Sequence, residues 1–253
     1  MGIDRTAAEG FSAGAGAYER ARPAYPPEAV AYLAARLRIG PSARVIDLGA
    51  GTGKLTVMLA SSGAELYALE PIEQMRARFE AAGAVRIVAG AAEAIPFADA
   101  TFHAVVAAQA FHWFDGPRAL TEIHRVLRRG GGLGLVWNVR DRESAWVEAL
   151  SRIVDAHGDA IRRHETGEWR SSFVGRSDFS EIEQAEFPNV QEVDEAQVLD
   201  RVASTSFIAM LGDDQKASVL EQARELVRSH PDTRGRERFA FPHLTRVYCC
   251  NRV

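Results

Sequence analysis

The sequence predicts an α/β fold in which a mostly parallel sheet of seven strands carries helices on both faces. Through residues 1–145, apolar runs of strand length alternate with segments whose apolar residues recur at helical spacing. Glycine and proline mark most of the junctions between them. Because parallel neighbours need a long crossover connection, this alternation favours parallel strands joined by right-handed helical crossovers. Strands covered on both faces in this way are expected to be apolar throughout.

The elements of this first part can be assigned in order. Pro26–Leu37 opens with prolines and repeats apolar residues three and four apart, which predicts a helix. Further helices are predicted in KLTVMLASSG, ended by Gly63, in IEQMRARFEAAG, closed by Gly83, and in Pro117–Arg129. The predicted strands are ARVIDLG, AELYALEP, VRIVAG, Phe102–Gln109 and GGGLGLVWNV.

Beyond Trp146 the alternation stops. Helical patterns are found at Trp146–His157, Glu195–Ser204 and Gln215–Ser229, with a predicted strand at Ile182–Val193 and a closing strand in LTRVYCCNR. We therefore expect residues 1–145 to form a nucleotide-binding core. Residues 146–253 would complete the sheet and add a helical C-terminal cap, all within one integrated domain.

Composition excludes several classes of partner. A net charge of −4 without any run of lysine or arginine argues against a nucleic-acid-binding surface. Cys249 and Cys250 are adjacent and cannot staple distant segments, which favours a reducing compartment. No apolar run approaches the length of a membrane span, and the N-terminus lacks the apolar core of a signal peptide. We predict a cytoplasmic protein with neither a nucleic-acid nor a membrane partner. His157 and His164 lack a third nearby ligand, so no metal site is expected.

The run VIDLGAGTGKLT is the first candidate for a binding site. A P-loop would need glycine at Leu48 and serine or threonine at Leu55, and a dinucleotide fingerprint would need its third glycine at Lys54. What remains is the pattern D-x-G-x-G-x-G, formed by Asp47, Gly49, Gly51 and Gly53. Such a turn suits a ligand without phosphate, since its backbone can lie against an amino-acid moiety while the acid faces an ammonium group.

Glu70 ends the next predicted strand, a position where a carboxylate can accept hydrogen bonds from both hydroxyls of a ribose. A solvated surface charge is the alternative for an isolated strand-end acid. Because Glu70 follows the glycine pattern in the next strand, the ribose role is favoured for it. An amino-acid group, a ribose and no phosphate together describe S-adenosylmethionine.

The motifs in VIDLGAGTGKLT, ALEP, GAAEAIPFADATFHAVVAAQAFHWF and ALTEIHRVLRRGGGLGLVWNVRD, taken in order, resemble class I S-adenosylmethionine-dependent methyltransferases. The chain is most similar to their small-molecule branch, which includes the trans-aconitate methyltransferase-like proteins with a type 11 methyltransferase domain. The resemblance is strong from Tyr18 to Asp141 and weaker through ASTSFIAML and YCCNR. It implies a Rossmann-like sheet, S-adenosylmethionine as cofactor, S-adenosylhomocysteine as product, and a small-molecule methyl acceptor.

The resemblance also implies roles for individual residues. The methionine part would be lined by Asp47, Gly49, Ala50, Gly51 and Gly53. The ribose would be held by Glu70, and the adenine would be flanked by Pro71, Ile72 and Met75 and met by Ala91, Ala92 and Glu93. Many family members carry an acid where this chain has Ala91, which leaves the adenine amino group to Glu93 or to water. Gln109 would reach the methionine carboxylate or the methyl group. An N-terminal lid would contribute Tyr18 and Arg22 to the cofactor and Tyr25 to the acceptor.

The acceptor pocket and the chemistry are less constrained. Methyl transfer from a sulfonium is an in-line displacement, and a carboxylate acceptor needs no base because it is ionised at neutral pH. A phenol, an amine or a carbon acid would need one, and His112 is then the first candidate. The alternative, which we favour, is a histidine that shapes the loop through a hydrogen bond to the backbone. Acceptor-lining side chains are proposed to be Trp113, Trp146, Trp169, Phe173 and Phe207.

Two rival functions stay open at this point. One is a non-catalytic S-adenosylmethionine-binding regulatory module, which would keep Asp47 and Glu70 but lack an open acceptor cavity. The other is an NAD-dependent oxidoreductase, against which the misplaced third glycine weighs.

Overall fold

The computed structural model describes residues 23–79, 85–158 and 167–253. Its strands form one seven-stranded sheet in the order β3-β2-β1-β4-β5-β7-β6. The strand bounds are β1 Arg44–Leu48, β2 Glu65–Leu69, β3 Val85–Val88, β4 Phe102–Ala108, β5 Leu127–Arg140, β6 Glu183–Val193 and β7 Phe239–Asn251.

The first five strands are parallel. β1 pairs with β2 on one side and with β4 on the other, β2 pairs with β3, and β4 pairs with β5. The chain thus runs outward from β1 to β3 and then returns to β4 on the opposite side of β1. Ligands of open α/β sheets bind beyond the carboxyl ends of the strands at such a reversal.

β7 runs against β5. The Gly130 N–H donates to the Arg252 carbonyl, and the Asp141 N–H donates to the Pro242 carbonyl. Residue numbers therefore rise along one strand and fall along the other, which is the antiparallel arrangement. The sheet is mostly parallel, as the sequence predicts.

The described helices are α1 Pro27–Arg36, α2 Lys54–Leu59, α3 Glu73–Arg76, α4 Gly116–Val126, α5 Ala145–Asp155, α6 Glu195–Ala203, α7 Ser206–Ala209 and α8 Asp213–Ser229. Short 3-10 turns occupy Ala60–Ser62, Phe111–Trp113 and Glu168–Phe173. Gly63 ends the α2 segment with a φ of 74°, as predicted from the sequence.

Three predicted boundaries were wrong. The helix expected over Pro117–Arg129 ends at Val126, because Leu127 is extended and pairs with Phe102 of β4. The helix expected over IEQMRARFEAAG spans only Glu73–Arg76 within the described residues, and the predicted closing residue Gly83 lies outside them. β7 starts at Phe239, before the predicted LTRVYCCNR segment.

The described chain divides into two compact units. The sheet unit comprises residues 24–79, 85–138, 167–187 and 245–253, and the helical unit comprises residues 23, 139–158 and 188–244. The division does not follow the predicted boundary after residue 145, because the chain returns to the sheet unit at residues 167–187 and again at residues 245–253.

Each unit has its own apolar core. In the sheet unit, Leu33, Val45 and Ala104 are among the buried residues that pack around α1, β1 and β4. In the helical unit, Val198 and Val219 are among those that pack between α5, α6 and α8. In the described part of the chain, no helix combines the length and hydropathy that a membrane span requires.

Candidate functional site

The turn after β1 consists of glycines held at positive φ. Gly49, Gly51 and Gly53 have φ values of 65°, 58° and 86°. A Cβ at Gly49 would lie 2.8 Å from the Ala110 Cβ, and one at Gly53 would lie 2.6 Å from the ring of Phe79. Among the described residues, no heavy atom would lie within 4 Å of a Cβ at Gly51. Two of the glycines are therefore required by packing, while no described residue closes off the backbone of Gly51.

Glu70 braces this turn from the end of β2. Its Oε2 accepts the Gly51 N–H and its Oε1 accepts the Ile72 N–H, both at 2.9 Å. The side chain is buried, and burial raises the pKa of this carboxyl. Each oxygen of a carboxylate has a second lone pair. Glu70 can therefore hold the turn and still accept from two hydroxyls of a ligand.

Arg76 fixes the backbone beside Glu70. Its Nη1 donates to the carbonyl of Glu70 at 2.8 Å and to that of Pro71 at 2.7 Å. Pro71 and Ile72 are half-buried, and Met75 is buried on α3. The predicted adenine-flanking residues thus follow the ribose candidate directly in a constrained segment.

Asp47 is a buried acid with an unsatisfied oxygen. The Thr56 hydroxyl donates to its Oδ2 at 2.6 Å, while its Oδ1 has no hydrogen-bond partner within the described residues. Burial, with the charge of Glu70 adding to it, raises the pKa of Asp47 to about 7. A buried carboxylate oxygen without a partner is costly. Because the ammonium group of an amino acid would satisfy that oxygen, Asp47 fits the methionine part of the predicted cofactor.

The turn after β3 contains three more of the predicted cofactor residues. Ala91 is half-buried and forms an isolated bridge with Ala94, while Ala92 is buried. Glu93 lies next to them, and its Oε1 accepts the Asp115 N–H at 2.8 Å. The carboxylate of Glu93 therefore ties this turn to the start of α4, in addition to any contact with adenine.

The turn after β4 packs onto the glycine turn. Gln109 has a φ of 55°, its N–H donates to the Val136 carbonyl at 2.8 Å, and its Nε2 donates to the Asn138 carbonyl at 3.0 Å. A positive φ outside glycine costs about 1–3 kcal/mol and is common at functional sites. The next residue, Ala110, is the one whose Cβ limits Gly49. The carboxyl ends of β1, β2 and β4 therefore bring Asp47, the glycine turn, Glu70 and Gln109 to one edge of the sheet.

A tryptophan side chain contacts His112. The indole N–H of Trp137 donates to His112 Nδ1 at 3.2 Å. The imidazole also lies beside Trp113, with 4.9 Å between the ring centroids. The structure thus gives His112 a hydrogen bond from an indole, and the hydrogen bond to the backbone that we favoured from the sequence stays a prediction.

The predicted acceptor aromatics lie in two separate cores. In the sheet unit, Trp169 is buried and its ring centroid is 5.0 Å from that of Trp137. In the helical unit, Trp146 is 2% exposed and packs against Phe239 and Phe241. Each tryptophan ring thus fills an apolar core of its own unit, and a role for either in the acceptor site stays a prediction.

The remaining predicted residues have mixed placements. Tyr25 is buried in the core of the sheet unit. Phe173 lies 6.1 Å from Phe111 between ring centroids, and the ring of Phe207 closely covers Gly158. Tyr18, Arg22 and His164 lie outside the described residues. His157 is exposed, and across residues 23–79, 85–158 and 167–253 no group of three or more metal-ligating side chains is found.

Two residues of the site were missed from the sequence. Thr56 lies three residues after Gly53, so its place on the first turn of α2 gave a signal that it faces the glycine turn. Trp137 is 25 residues from His112, and only the register of β5 beside β4 places it there. No local pattern indicates that partnership.

Comparison with known proteins identifies the family of the chain. Residues 46–135 match the family model described as a methyltransferase domain. The chain is 39% identical to an uncharacterized methyltransferase of Mycobacterium tuberculosis, over 93% of this chain and 92% of that one. It is 40% identical over 100 residues, 37% of this chain and 36% of the other, to the malonyl-[acyl-carrier protein] O-methyltransferase of Methylococcus capsulatus.

Solved structures show the same fold. A protein of Anaeromyxobacter dehalogenans that has been assigned as a type II methyltransferase superposes with a TM-score of 0.68 at 21% identity. The match covers 91% of this chain and 97% of that one. The Rossmann-like sheet predicted from the sequence is confirmed, while the closer similarity to trans-aconitate methyltransferase-like proteins stays a prediction.

Proposed function

Because the chain belongs to the class I S-adenosylmethionine-dependent methyltransferases, we propose that it methylates a carboxylate oxygen of a small-molecule acceptor. The observation that carries the cofactor assignment is the glycine turn braced by Glu70. In it, no described residue would crowd a Cβ at Gly51, and Glu70 fixes the Gly51 N–H. Asp47, whose Oδ1 has no hydrogen-bond partner among the described residues, lies at the same end of the sheet.

The residues at this edge match the parts of the cofactor in order. Asp47 would face the ammonium group, Glu70 would accept from the ribose hydroxyls, and Ile72 and Met75 would flank the adenine. The adenine edge would be met by Ala91, Ala92 and Glu93, and the methionine carboxylate by Gln109. When bound, S-adenosylmethionine supplies an electrophilic methyl group on a sulfonium sulfur.

A carboxylate acceptor suits this site because it needs no base. Its oxygen is ionised at neutral pH, so a lone pair can attack the methyl carbon in line with the carbon–sulfur bond. The departing thioether needs no proton either. The protein then has to align the acceptor and exclude water. The similarity to an O-methyltransferase of malonyl-[acyl-carrier protein] supports oxygen as the acceptor atom.

Binding measurements test the cofactor first. Isothermal titration of the full chain with S-adenosylmethionine, S-adenosylhomocysteine and NAD is expected to show binding of the first two and none of the third. Binding of NAD alone would refute the cofactor assignment and favour an oxidoreductase.

Transfer of a labelled methyl group tests the acceptor. The panel consists of small mono-, di- and tricarboxylates with phenols and amines of matched size, and Glu70→Ala serves as the control enzyme. We expect label in the carboxylate reactions, released as methanol by mild alkali as a methyl ester requires. An alkali-stable product would contradict the carboxylate assignment, and cofactor binding without transfer to any acceptor would favour the non-catalytic module.

A further inference from the structure

We propose that Arg125 and Glu122 of α4 are positioning residues for the adenine end of the cofactor site. They hold the loop between β3 and β4, so the affinity for the cofactor and the selectivity for its base depend on them. Neither residue is among the predicted contacts with the cofactor. The inference rests on the proposed function for the identity of the cofactor, and its experiments need no methyl acceptor.

The β3–β4 loop, residues 91–101, begins with the three residues expected to meet adenine: Ala91, Ala92 and Glu93. It belongs to no helix and to none of the seven strands, and it turns through an isolated bridge between Ala91 and Ala94. A loop backbone without a regular ladder must find its hydrogen-bond partners elsewhere. The position of the adenine-meeting residues therefore depends on the element against which the loop lies.

Arg125 supplies that element with five N–H donors, the full set of a guanidinium. Its Nη1 donates to the Phe97 carbonyl at 2.7 Å and to Asp99 Oδ1 at 2.9 Å. Its Nη2 donates to the Ile95 carbonyl and to Glu122 Oε2, and its Nε donates to Glu122 Oε1, all at 2.8 Å. One side chain thus binds two backbone carbonyls and one carboxylate of the loop.

Glu122 binds the same loop from the other side of the peptide unit. Its Oε2 accepts the Ile95 N–H at 2.8 Å, so both main-chain groups of Ile95 are bound by α4. The hydrogen bond from Arg125 lowers the pKa of the Glu122 carboxyl, which keeps it ionised at neutral pH. The Ile95 side chain is itself buried. Ile95 is therefore an anchor point, two residues after Glu93.

Two further hydrogen bonds join the loop to α4 nearer its ends. The Asp115 N–H, at the start of α4, donates to Glu93 Oε1 at 2.8 Å. The Ala100 N–H donates to the Arg125 carbonyl at 2.9 Å. The loop is thus bound to one helix at its beginning, its middle and its end, and the guanidinium of Arg125 makes most of the bonds in the middle.

Freeing the loop is expected to weaken binding through the population of its conformers. When only a fraction of the protein has the binding-competent conformation, the apparent Kd rises by the inverse of that fraction. A competent fraction of about 10% to 1% corresponds to roughly a ten- to a hundredfold rise in Kd.

The first experiment measures this rise by isothermal titration of the full chain with S-adenosylhomocysteine. Arg125→Met, which removes all five donors, is expected to raise the Kd roughly ten- to a hundredfold. Arg129→Met removes an exposed arginine four residues further on and is expected to bind as wild type. Urea unfolding of the same samples shows that each variant is folded. A folded Arg125→Met protein with a Kd within about threefold of wild type would overturn the proposal.

The second experiment separates positioning from a general loss of stability. S-inosylhomocysteine carries an oxygen in place of the adenine amino group and an N–H at N1, where adenine has an acceptor. A fixed loop is expected to reject this base by roughly tenfold or more, because hydrogen-bonding groups are then left unpaired. Arg125→Met is expected to lose most of that preference. An equal rise in both Kd values, or a wild-type protein without a preference, would contradict the role of the pair.

Two milder variants decide the question if Arg125→Met does not fold. Arg125→Lys keeps the charge without the planar set of five donors, and Glu122→Gln keeps one accepting oxygen but sets an N–H₂ group against the donors. Both are expected to raise the Kd for S-adenosylhomocysteine and to reduce the base preference, each by less than Arg125→Met. Wild-type values of both quantities in these folded variants would refute the proposal.

The same titrations keep this inference apart from the proposed function. If the wild-type chain binds no S-adenosylhomocysteine, the cofactor assignment is refuted, and the positioning role falls with it. If the wild-type chain binds it with a preference for adenine and the Arg125 variants bind equally well, the cofactor assignment stands and the role given to Arg125 and Glu122 is wrong.

Discussion

Replacing Glu70 by alanine tests the site at its most connected residue. The side chain accepts two backbone N–H groups, from Gly51 and Ile72, each at 2.9 Å. Both amides lie on the segments that would contact the cofactor. Glu70→Ala therefore removes the proposed acceptor of the ribose hydroxyls and also the brace that sets the glycine turn.

The magnitude follows from those hydrogen bonds. A hydrogen bond to a charged group contributes about 1.5–3 kcal/mol to stability. Gly51 and Ile72 are half-buried, so water can replace part of the lost interaction. We expect cofactor binding to weaken by about 1–3 kcal/mol, which corresponds to roughly a 5- to 150-fold rise in Kd.

Isothermal titration with S-adenosylmethionine measures this change, and urea unfolding of the same samples shows whether each variant is folded. Glu70→Gln keeps one accepting oxygen but sets an N–H₂ group against the other backbone amide, so an intermediate Kd is expected. Glu73→Ala, an exposed acid at the start of α3, is the matched control and is expected to bind as wild type. A folded Glu70→Ala protein whose Kd stays within twofold of wild type would remove Glu70 from the ribose role.

Four further predictions concern the same sheet edge and strand β7. Gly51→Ala is expected to fold with a loss of about 1–2 kcal/mol from its positive φ, yet to bind S-adenosylmethionine poorly in titration, because its Cβ would project on the open side of the turn. Gly53→Ala is expected to lose more stability in urea unfolding than Gly51→Ala, since its Cβ would collide with a ring at 2.6 Å; equal losses would contradict this packing argument. Because the pKa of Asp47 is raised to about 7, the ionised form that pairs with an ammonium grows about eightfold from pH 6 to pH 7.5, and cofactor affinity measured by titration is expected to rise with it. The same carboxyl binds its proton more tightly in the folded than in the unfolded chain. Without ligand, the free energy of unfolding is therefore expected to fall as pH rises from about 4 to about 7. In Asp47→Asn both trends, in affinity and in stability, are expected to vanish, and their persistence would assign them to another group. Burial raises the pKa of Cys249 and Cys250 to about 12, so a disulfide reagent at pH 8 is expected to label neither in the native protein and both after unfolding; rapid native labelling would contradict their burial.

The central strands could be predicted because burial on both faces leaves a simple pattern. β1, β2 and β4 are mostly apolar, and the structure places these strands within a residue or two of the predicted segments. The boundary between α4 and β5 was missed because the apolar stripe continues past Val126. Leu127 fits the helical period equally well, but pairing with Phe102 in the neighbouring strand draws it into the sheet.

The residues of the candidate site likewise fall into those that local sequence predicts and those that depend on strand pairing. Asp47, Gly51 and Glu70 belong to short motifs at strand ends, where sequence spacing alone fixes which edge of the sheet they share. The partnership of His112 with Trp137 depends on the register of two strands and leaves no trace in either segment. The proposed acceptor wall depended on counting aromatic residues, and an aromatic side chain fills a core as readily as it lines a pocket.

The turn and the acid that braces it select the charge of the ligand as well as its shape. Each oxygen of Glu70 accepts one backbone N–H, from Gly51 and from Ile72. These bonds hold the negative charge of Glu70 at the edge of the sheet where the ligand would bind. Asp47 adds a second acid there, and the charge of Glu70, together with burial, raises the pKa of Asp47. A pyrophosphate would bring two or more negative charges against this pair, whereas an ammonium and a sulfonium group would neutralise it. The sequence feature that weighs against a dinucleotide, a glycine one place too early, and the structural feature that does so, a second buried acid near Glu70, are independent. Both favour the same cationic cofactor.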